Sequence, residues 1–560
     1  MNSLDSTKPE SIAIGSPKFP DANLTELAKS SGSLAAWHEA FEKKGAKAAQ
    51  GVTGRFAVGL RDAAGRTFLA VDRFAVDSIC YRIRGSQMIF ASRADELADL
   101  DTPIDPQAIF DYLFFHAIPS PRTIFKGVFR LPPGHCALFE NGTLTVSPYW
   151  TPEFDESANA DFESLKAEFR QLLRNAVANE LEGGKAACFL SGGTDSSTVA
   201  GMIGEAGKTP AATYSIGFDA AGYDEMEFAR LAAKRFNTEH HEYYVTPDDL
   251  VRSIAHVAGY YDQPFGNSSA LPAYYCARMA KDDGVTKILA GDGGDELFGG
   301  NSRYAKQRVF GWYSLLPGAV RRGLIEPVME MPVMGKIPLL SKGASYVEQA
   351  KVPMPDRLNM YNLLLRLGVG EVLTKGFLEQ VDITSPAQQQ REVWAQAKTT
   401  HTLNRTLAFD WRYTLAESDL PKVCGTTRLA GVDVGFPLLN AQLLDFSLKL
   451  PTDYKLKGFK LRWFFKEALR GFLPDEILTK KKQGFGLPFG VWATRHAGLK
   501  KVAVDSLHSL SQRGIVRADF IETLVTVRLP EHPGYYGEMV WILMMLEQWL
   551  QAKAPAFKLA

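Results

Sequence analysis

The sequence of 560 residues is poor in cysteine and carries no excess of charge. Its five cysteines are dispersed and form no CxxC pair, a pattern typical of reduced thiols rather than of disulfides or a zinc site. Basic and acidic residues both number 63, so net charge gives no reason to expect binding to nucleic acid or to an anionic membrane. Together these absences indicate a cytoplasmic protein with neither kind of partner.

Long apolar runs are also absent. A membrane-spanning helix needs roughly 20 apolar residues, whereas the richest run, residues 539–546, is followed by Glu547 and predicts a buried helix. Residues 1–20 are polar and lack the apolar centre of a signal peptide. A chain of this length is too long for one core, so we expect two or more domains.

The most informative segment is FLSGGTDSS at residues 189–197, which lies between an apolar strand pattern and a helical one. Its glycines let backbone N–H groups approach an anion closely, and the helix N-terminus adds partial positive charge. No Gly-Lys-Ser/Thr follows, so it is not a Walker loop. A serine-capped strand-to-helix turn is the simpler alternative. The predicted nucleotide-binding residues are Leu190, Ser191, Gly192, Gly193, Asp195, Ser196 and Ser197.

A second glycine-rich loop, GDGGDE at residues 291–296, follows another apolar strand. Its three acidic residues would repel one another without a cation, and magnesium on ATP phosphates favours a few carboxylates together with phosphate oxygens. An exposed acidic turn is the alternative, but both loops follow strands, and ligands bind at that edge of an open α/β sheet. We therefore predict Asp195 and Asp295 as magnesium ligands, Gly291 as a nucleotide contact and Asp292 as catalytic.

The first loop resembles the pyrophosphate loop of N-type ATP pyrophosphatases, and both loops resemble the synthetase domain of asparagine synthetases. The similarity covers roughly residues 52–500. It implies that an acceptor carboxylate attacks the α-phosphate of ATP, and that a nitrogen nucleophile then displaces AMP. It also implies that Ile216 lies beside adenine. Further shared motifs are TYSIGF at 213–218, DQPF at 262–265, LPKV at 420–423 and KQGFGLP at 482–488.

The resemblance and the alternation of strand and helix patterns predict an α/β fold. Residues 1–50 are assigned to an N-terminal extension, and residues 51–155 to a β-rich remnant of an Ntn-type glutaminase domain. Residues 156–560 are assigned to a parallel-sheet ATP pyrophosphatase domain with a helical C-terminal part. Strands in the remnant are predicted at 56–60, 67–71 and 88–91.

The glutaminase domain of this family uses an N-terminal cysteine as its nucleophile. Here residue 2 is Asn2, and the first cysteine, Cys80, lies in a strand pattern that favours a small core residue. We expect a retained scaffold that does not hydrolyse glutamine. Nitrogen would then come from free ammonia, from a separate glutaminase or from an amine on the acceptor. An incorrect start codon that removed the true N-terminus is the alternative.

The family also places a catalytic lysine at the start of the helix that ends in Leu-Pro. Counting back from Leu473 and Pro474, that position falls on Arg462, while Lys460 lies two residues earlier. A guanidinium is a planar fork rather than a point charge, so the two are not equivalent. We keep Arg462 and Lys460 as equal candidates.

Other departures from the family pattern lie nearby. Cys424 stands where the family has an acidic residue, and DVGFPLLN at 433–440 replaces a segment with an arginine and two carboxylates. We interpret these changes as a sign of a different acceptor. Lys480–Lys482 either cover the pyrophosphate or form an exposed turn. The pattern around HHE at 240–242 predicts a strand. Neighbouring residues of a strand face opposite ways, so we expect no metal site there.

Three interpretations of the function follow. The first is an asparagine synthase with aspartate as acceptor, ATP and Mg²⁺ as requirements, and a homodimer left open. The second is an amide ligase with another acceptor, resembling β-lactam synthetases and lasso-peptide cyclases, which also lack the N-terminal cysteine, or enzymes that modify glycans. The third is a catalytically silent ATP-binding scaffold, against which the two intact loops argue.

Overall fold

The computed structural model describes residues 11–155, 161–181, 185–207, 209–329, 338–480 and 486–559. Within them the chain has the predicted α/β architecture. Antiparallel sheets come first, a parallel sheet follows, and helices make up most of the C-terminal part. Across these residues, no helix has both the length and the apolar character required to cross a membrane.

Two antiparallel sheets form the N-terminal part. Its strands are β1 (Ser11–Gly15), β2 (Phe56–Arg61), β3 (Thr67–Val71), β4 (Cys80–Arg84), β5 (Gln87–Ala91), β6 (Phe129–Arg130), β7 (His135–Glu140) and β8 (Thr143–Pro148). The larger sheet has the order β1-β2-β3-β7-β8, and the smaller one the order β5-β4-β6. Strands β2, β3 and β5 confirm the three that the sequence predicted.

The larger sheet is covered on both faces, which explains why β2 is buried up to its last residue and β3 is buried throughout. Phe56 and Phe68 pack in the cluster that contains the helices α1 (Ala22–Ser31) and α2 (Ser33–Lys44). Ala57 faces the other way, into the cluster between the two sheets. We call the two packed sheets and their covering helices the sandwich. Strand β1 pairs with β2, so residues 11–50, which the sequence assigned to an extension, belong to this sandwich.

The parallel sheet has the order β11-β10-β9-β12-β13. Its strands, and those of a short hairpin that follows, are β9 (Ala187–Phe189), β10 (Ala212–Phe218), β11 (Glu239–Val245), β12 (Lys287–Leu289), β13 (Asp433–Gly435), β14 (Leu456–Lys457) and β15 (Lys460–Leu461). Along the chain, the strands progress in one direction from β9 to β11 and in the other from β12 to β13. The order therefore reverses between β9 and β12, and that switch point is where open α/β sheets bind ligands.

Helices surround this sheet and fill the C-terminal part. Those referred to below are α3 (Pro106–Phe115), α4 (Phe162–Ala178), α5 (Thr194–Gly207), α6 (Met226–Phe236), α7 (Pro247–Tyr260), α8 (Ala270–Asp282), α9 (Gly294–Phe298), α10 (Ser302–Leu315), α11 (Leu420–Ala430), α12 (Trp463–Ala468) and α13 (Pro533–Lys553). The other helical segments are Gly45–Lys47, Gly318–Val320, Arg321–Ile325, Glu326–Met329, Pro338–Lys351, Asp356–Tyr361, Leu363–Leu367, Val369–Val372, Lys375–Leu378, Ser385–Gln396, Thr402–Asp410, Trp411–Asp419, Pro437–Leu439, Ala441–Lys449, Thr452–Lys455, Asp475–Thr479, Phe489–Arg495, Ala497–Ser511, Ala518–Thr523, Leu524–Arg528 and Leu529–Glu531.

Helix α13 joins the two halves of the chain. Residues 539–546 are buried within it, as the sequence predicted. Tyr112 of α3 donates a hydrogen bond from its hydroxyl to the Ile542 carbonyl at 2.9 Å. One hydrophobic cluster contains residues of α3, α7 and α13, so the two halves of the chain share part of their core.

The segment at 240–242 lies in β11, and the part of the chain that is described contains no group of three or more His, Cys, Asp or Glu side chains able to hold a metal ion. His240 contacts Thr213, and its ring nitrogen lies 2.9 Å from that hydroxyl. His241 stacks on Tyr214 instead. The two rings thus point to different neighbours, as expected for adjacent strand residues.

Removal of the Glu547 carboxylate is predicted to destabilise the fold strongly. Glu547 is fully buried and accepts hydrogen bonds from Arg513 Nε and Ser509 Oγ, both at 2.6 Å. Breaking a buried ion pair from one side costs about 3–5 kcal/mol, so Glu547→Ala will lower the melting temperature measurably.

Asp505→Ala is the matched control, since it removes a carboxylate from an exposed i,i+4 pair with Lys501. Such a pair contributes about 0.3–0.5 kcal/mol. Equal melting temperatures for the two variants would contradict the structural role given to Glu547.

Candidate active site

The first predicted loop connects β9 to α5 and is pressed against α6. Gly192 has φ +71°, in the region that favours glycine, and a Cβ there would lie 2.5 Å from the Ala229 nitrogen. The Ser196 hydroxyl accepts a hydrogen bond from the Ser191 N–H at 3.1 Å. The loop is therefore held by its own backbone and hydroxyl groups, and it presents the first turn of α5 to the sheet edge.

The structure places most of the predicted nucleotide-binding residues on one cavity of about 970 Å³ at the switch point. Those that line it are Leu190, Ser191, Gly193, Asp195, Ser196, Ile216 and Gly291. Gly192 and Ser197 do not line it. Gly192 packs against α6, and the Ser197 side chain is fully buried in α5. Their direct contact with a nucleotide remains a prediction.

The second loop approaches the first closely at two glycines. A Cβ on Gly291 would lie 2.8 Å from the Ser196 nitrogen, and one on Gly294 would lie 1.9 Å from Asp195 Oδ1. A Cβ on Gly300, which follows α9, would lie 1.7 Å from Asp295 Oδ1. Gly293, just before α9, has φ +101°. The glycines that the sequence shows between its acidic residues therefore allow the carboxylates of the two loops to approach each other.

Arg462 bridges the two carboxylates that the sequence assigned to magnesium. Its Nη1 donates to Asp195 Oδ2 at 2.6 Å, to Asp295 Oδ1 at 3.0 Å and to Thr194 Oγ1 at 2.9 Å, while its Nη2 pairs with Asp195 Oδ1. Its guanidinium carbon lies 3.8 Å from the centre of the Phe465 ring. Burial disfavours the charge of Arg462, but the two carboxylates outweigh it and raise the pKa above its usual range.

The two candidates for the catalytic cation differ in position. Arg462 is 3% exposed and contacts both loops. Lys460 lies in β15, is exposed, and lines the cavity at its rim. A third cation, Lys466, also lines the cavity one helical turn after Arg462. Its pKa is lowered, first by burial and then by the Arg462 charge.

Asp292, predicted to be catalytic, lies in a second charged group on the same cavity. Lys422 Nζ is 3.0 Å from Asp419 Oδ1 and 3.7 Å from Asp292 Oδ1. Burial raises the pKa of Asp292 to about 6; Lys422 opposes this shift, and the charges of Asp419 and Asp195 add to it. Burial acts against the Lys422 charge, but the two carboxylates outweigh it and raise its pKa. Asp292 can therefore gain or lose a proton near neutral pH.

Cys424 and the segment at 433–440 do not line this cavity, and their predicted effect on the acceptor stays a prediction. Cys424 lines a separate cavity of about 290 Å³ that also contacts Asp77 of the N-terminal part. Asp433 pairs with Arg55 at 3.0 Å across the same boundary. Gly435 lies against Glu180, since a Cβ there would be 2.6 Å from Glu180 Oε2. Cys424 and Asp433 thus lie at the contact between the two halves of the chain, whereas Gly435 packs within the second half.

The predicted basic cover is described only at its first residue. Lys480 Nζ lies 2.9 Å from Glu225 Oε1 and 4.2 Å from the centre of the Phe228 ring, and Lys480 lines the cavity. Lys481 and Lys482 lie outside the described residues. The structure therefore brings one basic residue of the three to the cavity wall.

Sequence reasoning missed Thr194, Lys422, Asp419 and Lys466. Two of them carried a signal, because Lys422 lies within the shared LPKV motif and Thr194 within the first loop. Lys466 lies four residues after Arg462, a spacing that places both on the same face of a helix. Asp419 had no signal of its own and is identified only by its contact with Lys422.

Comparison with known proteins agrees with this geometry. The family model described as Asparagine synthase matches residues 168–551, and the one described as Glutamine amidotransferase domain matches residues 30–150. The chain belongs to the asparagine synthase family. Residues 30–150 overlap the sandwich, and residues 168–551 contain the parallel sheet and both loops.

Three relatives illustrate how far the similarity extends. Asparagine synthetase (glutamine-hydrolyzing) 1 of Bacillus subtilis is 25% identical over 430 residues, which are 76% of this chain and 66% of that protein. Putative asparagine synthetase (glutamine-hydrolyzing) of Mycobacterium bovis is 25% identical over 466 residues, 80% of this chain and 69% of that one. Amidase chry2 of Gibberella zeae is 22% identical over 491 residues, which cover 78% of this chain and 70% of that protein. This chain therefore spans about two thirds of the length of the curated relatives that it matches.

Gly192→Ala is predicted to abolish nucleotide binding while leaving the bulk of the fold in place. The added Cβ would meet the backbone of α6, so the loop must move away from the site. Gly204→Ala is the matched control. Gly204 lies in α5, the helix that follows this loop, and an added Cβ there would have no atom of the described residues within 4 Å, its own helix backbone aside. Titration of a fluorescent ATP analogue measures the effect, and equal affinities of the two variants would contradict the role of this turn.

Proposed function

We propose that the chain is an ATP-dependent ligase that activates a carboxylate as its adenylate and joins it to a nitrogen nucleophile as an amide. The observation that carries this proposal is the meeting of two loops, one rich in backbone donors and one acidic, at the switch point of the sheet. Membership of the asparagine synthase family supports it at the level of reaction class.

The first loop and the apolar wall beside it form the proposed ATP site. The N-terminus of α5 and the Ser191 and Ser196 hydroxyls would bind phosphate oxygens, and Ile216 would contact the adenine. Asp195 and Asp295 supply oxygen ligands of the kind that Mg²⁺ prefers, although Arg462 contacts both. When bound, Mg²⁺ would neutralise charge on the phosphates.

In the proposed reaction, an acceptor carboxylate oxygen attacks the α-phosphorus, and the bond from that phosphorus to pyrophosphate breaks. The nitrogen nucleophile then attacks the acyl carbon, and the bond to AMP breaks. Negative charge develops first at the α-phosphate and later at the acyl oxygen. Arg462 and Lys460 are the cations proposed to stabilise it, an effect that is typically worth about 10²–10³ in rate.

Asp292 is proposed to accept the proton that the nitrogen loses when the amide forms. A proton acceptor works best with a pKa near the operating pH, and burial raises the pKa of Asp292 to about 6. Lys422 keeps this carboxylate ionised and in place through its contacts with Asp292 and Asp419.

The nitrogen is proposed to come from ammonia, from a separate glutaminase or from an amine on the acceptor. Every cysteine of the chain lies among the described residues and is buried there. Burial raises the pKa of the Cys80 thiol well above its usual range, which makes it a poor nucleophile. None of these five thiols is thus suited to attack glutamine.

Aspartate is the first acceptor to test, and a larger carboxylate is the second. The cavity of about 970 Å³ lies at the upper end of the roughly 300–1,000 Å³ typical of small-molecule sites. A relative named as an amidase aligns with 78% of this chain. Because the cavity would hold ATP as well as the acceptor, only the amidase relative favours testing an acceptor other than aspartate.

The decisive assay measures release of AMP and pyrophosphate from Mg-ATP with aspartate, using ammonium, glutamine or no nitrogen source. Release together with asparagine formed from ammonium, but not from glutamine, is the result expected of an ammonia-dependent asparagine synthase. ATP binding without aspartate-dependent release would reject aspartate and direct the search to larger carboxylates. Failure to bind ATP at all would reject the proposed ligase, whereas ATP binding without turnover on any carboxylate would favour a silent ATP-binding scaffold.

The pH dependence of the rate is predicted to follow Asp292. The carboxylate must be ionised to accept a proton, so kcat/KM will fall as pH drops below about 6. Lys422→Met removes the charge that lowers this pKa and will move the acidic limb to higher pH. Asp419→Asn removes a charge that raises it and will move the limb to lower pH. Lys501→Met, at an exposed pair, is the control, and an acidic limb that stays fixed in all variants would contradict the assignment.

A further inference from the structure

We propose that Arg462 occupies the position of a metal ion between Asp195 and Asp295 in the nucleotide-free protein, and that a divalent cation must displace it. This inference rests on the proposed function, since it concerns the metal that accompanies ATP. It adds to that function a competition between a side chain of the protein and the metal.

The position of Arg462 Nη1 is that of a cation bound by oxygens. Three oxygen atoms converge on it at 2.6–3.0 Å, from two carboxylates and the Thr194 hydroxyl. Mg²⁺ takes the same kinds of ligand at about 2.0–2.1 Å. The three oxygens would therefore need to move inward by less than about 1 Å to bind a metal ion once the guanidinium has left.

Several features of the bound Arg462 are unfavourable. Its φ is +53°, in the left-handed region, which is strained for a residue other than glycine. Its Nε is buried and has no hydrogen-bond partner among the residues described, which adds a desolvation cost. Lys466 lies close enough for the two cations to repel. The contacts of Arg462 with Asp195 and Asp295 offset these unfavourable contributions.

Charge favours exchange when ATP arrives with its metal. One guanidinium brings a single positive charge to the two carboxylates, whereas a divalent cation brings two. The released guanidinium is then available to the negative charge of the phosphates, and a planar fork suits phosphate oxygens. The predicted roles of Asp195 and Asp295 as metal ligands and of Arg462 as catalytic cation are thus successive states of one site.

The proposal is tested by titrating the nucleotide-free protein with Mn²⁺ and measuring free Mn²⁺ by electron paramagnetic resonance. Arg462→Ala leaves two carboxylates without their buried cation, so we expect Mn²⁺ to bind about tenfold or more tightly than to the wild type. Arg462→Lys keeps one positive charge but places it on a more compact group that lacks the planar fork. We expect an intermediate gain in Mn²⁺ affinity. Arg470→Ala is the matched control, because Arg470 also lines the cavity but pairs with Glu467 and Asp475.

The outcomes separate this inference from the proposed function. Unchanged Mn²⁺ affinity in Arg462→Ala and Arg462→Lys, with folding verified by circular dichroism, would overturn the exchange even if the wild type releases AMP and pyrophosphate from Mg-ATP with an acceptor. An equal gain in Arg470→Ala would also overturn it, because the effect would then reflect the general loss of positive charge. Tighter Mn²⁺ binding in the two Arg462 variants alone supports it. Absence of Mg-ATP binding in the wild type would instead reject the proposed function.

Discussion

The contact of one guanidinium with two carboxylates is the interaction on which the site depends. Asp195 and Asp295 come from different loops but both contact the same guanidinium nitrogen. Two carboxylates this close to one atom repel each other unless a cation lies between them. Arg462 supplies that cation and links the first turn of α5 to the turn that begins α9. The bare backbone of Gly294 and Gly300 follows from it, because a side chain at either position would overlap a carboxylate.

The contact between the two halves of the chain is a second constraint, and it involves the residues that differ from the family pattern. Arg55 pairs with Asp77 within the N-terminal part and with Asp433 across the boundary, while Arg428 of α11 reaches Asp77 from the other side. Helix α11 also carries Lys422, which lines the active-site cavity. Residues of this one helix therefore line both the cavity at the sheet edge and the cavity at the boundary.

The sequence predicted the elements with local patterns and missed contacts made across the fold. The two glycine-rich loops, strands β2, β3 and β9, and the buried run in α13 all have signals within a few neighbouring residues. The link between Arg462 and Asp195 joins positions 267 residues apart, and no local pattern contains it. Cys424 and Asp433 were interpreted from their departure from the family pattern, and no local pattern indicated that both lie at the contact with the N-terminal part.

The central claim is that both loops form a single nucleotide site, and it can be tested without knowing the acceptor. Calorimetric titration with magnesium and α,β-methylene ATP, which cannot release pyrophosphate, would be carried out on the wild type, Asp195→Asn and Asp295→Asn. The account predicts one nucleotide per chain, with affinity for the magnesium complex reduced by both substitutions. Affinity that survives either substitution unchanged would contradict a site built from both loops.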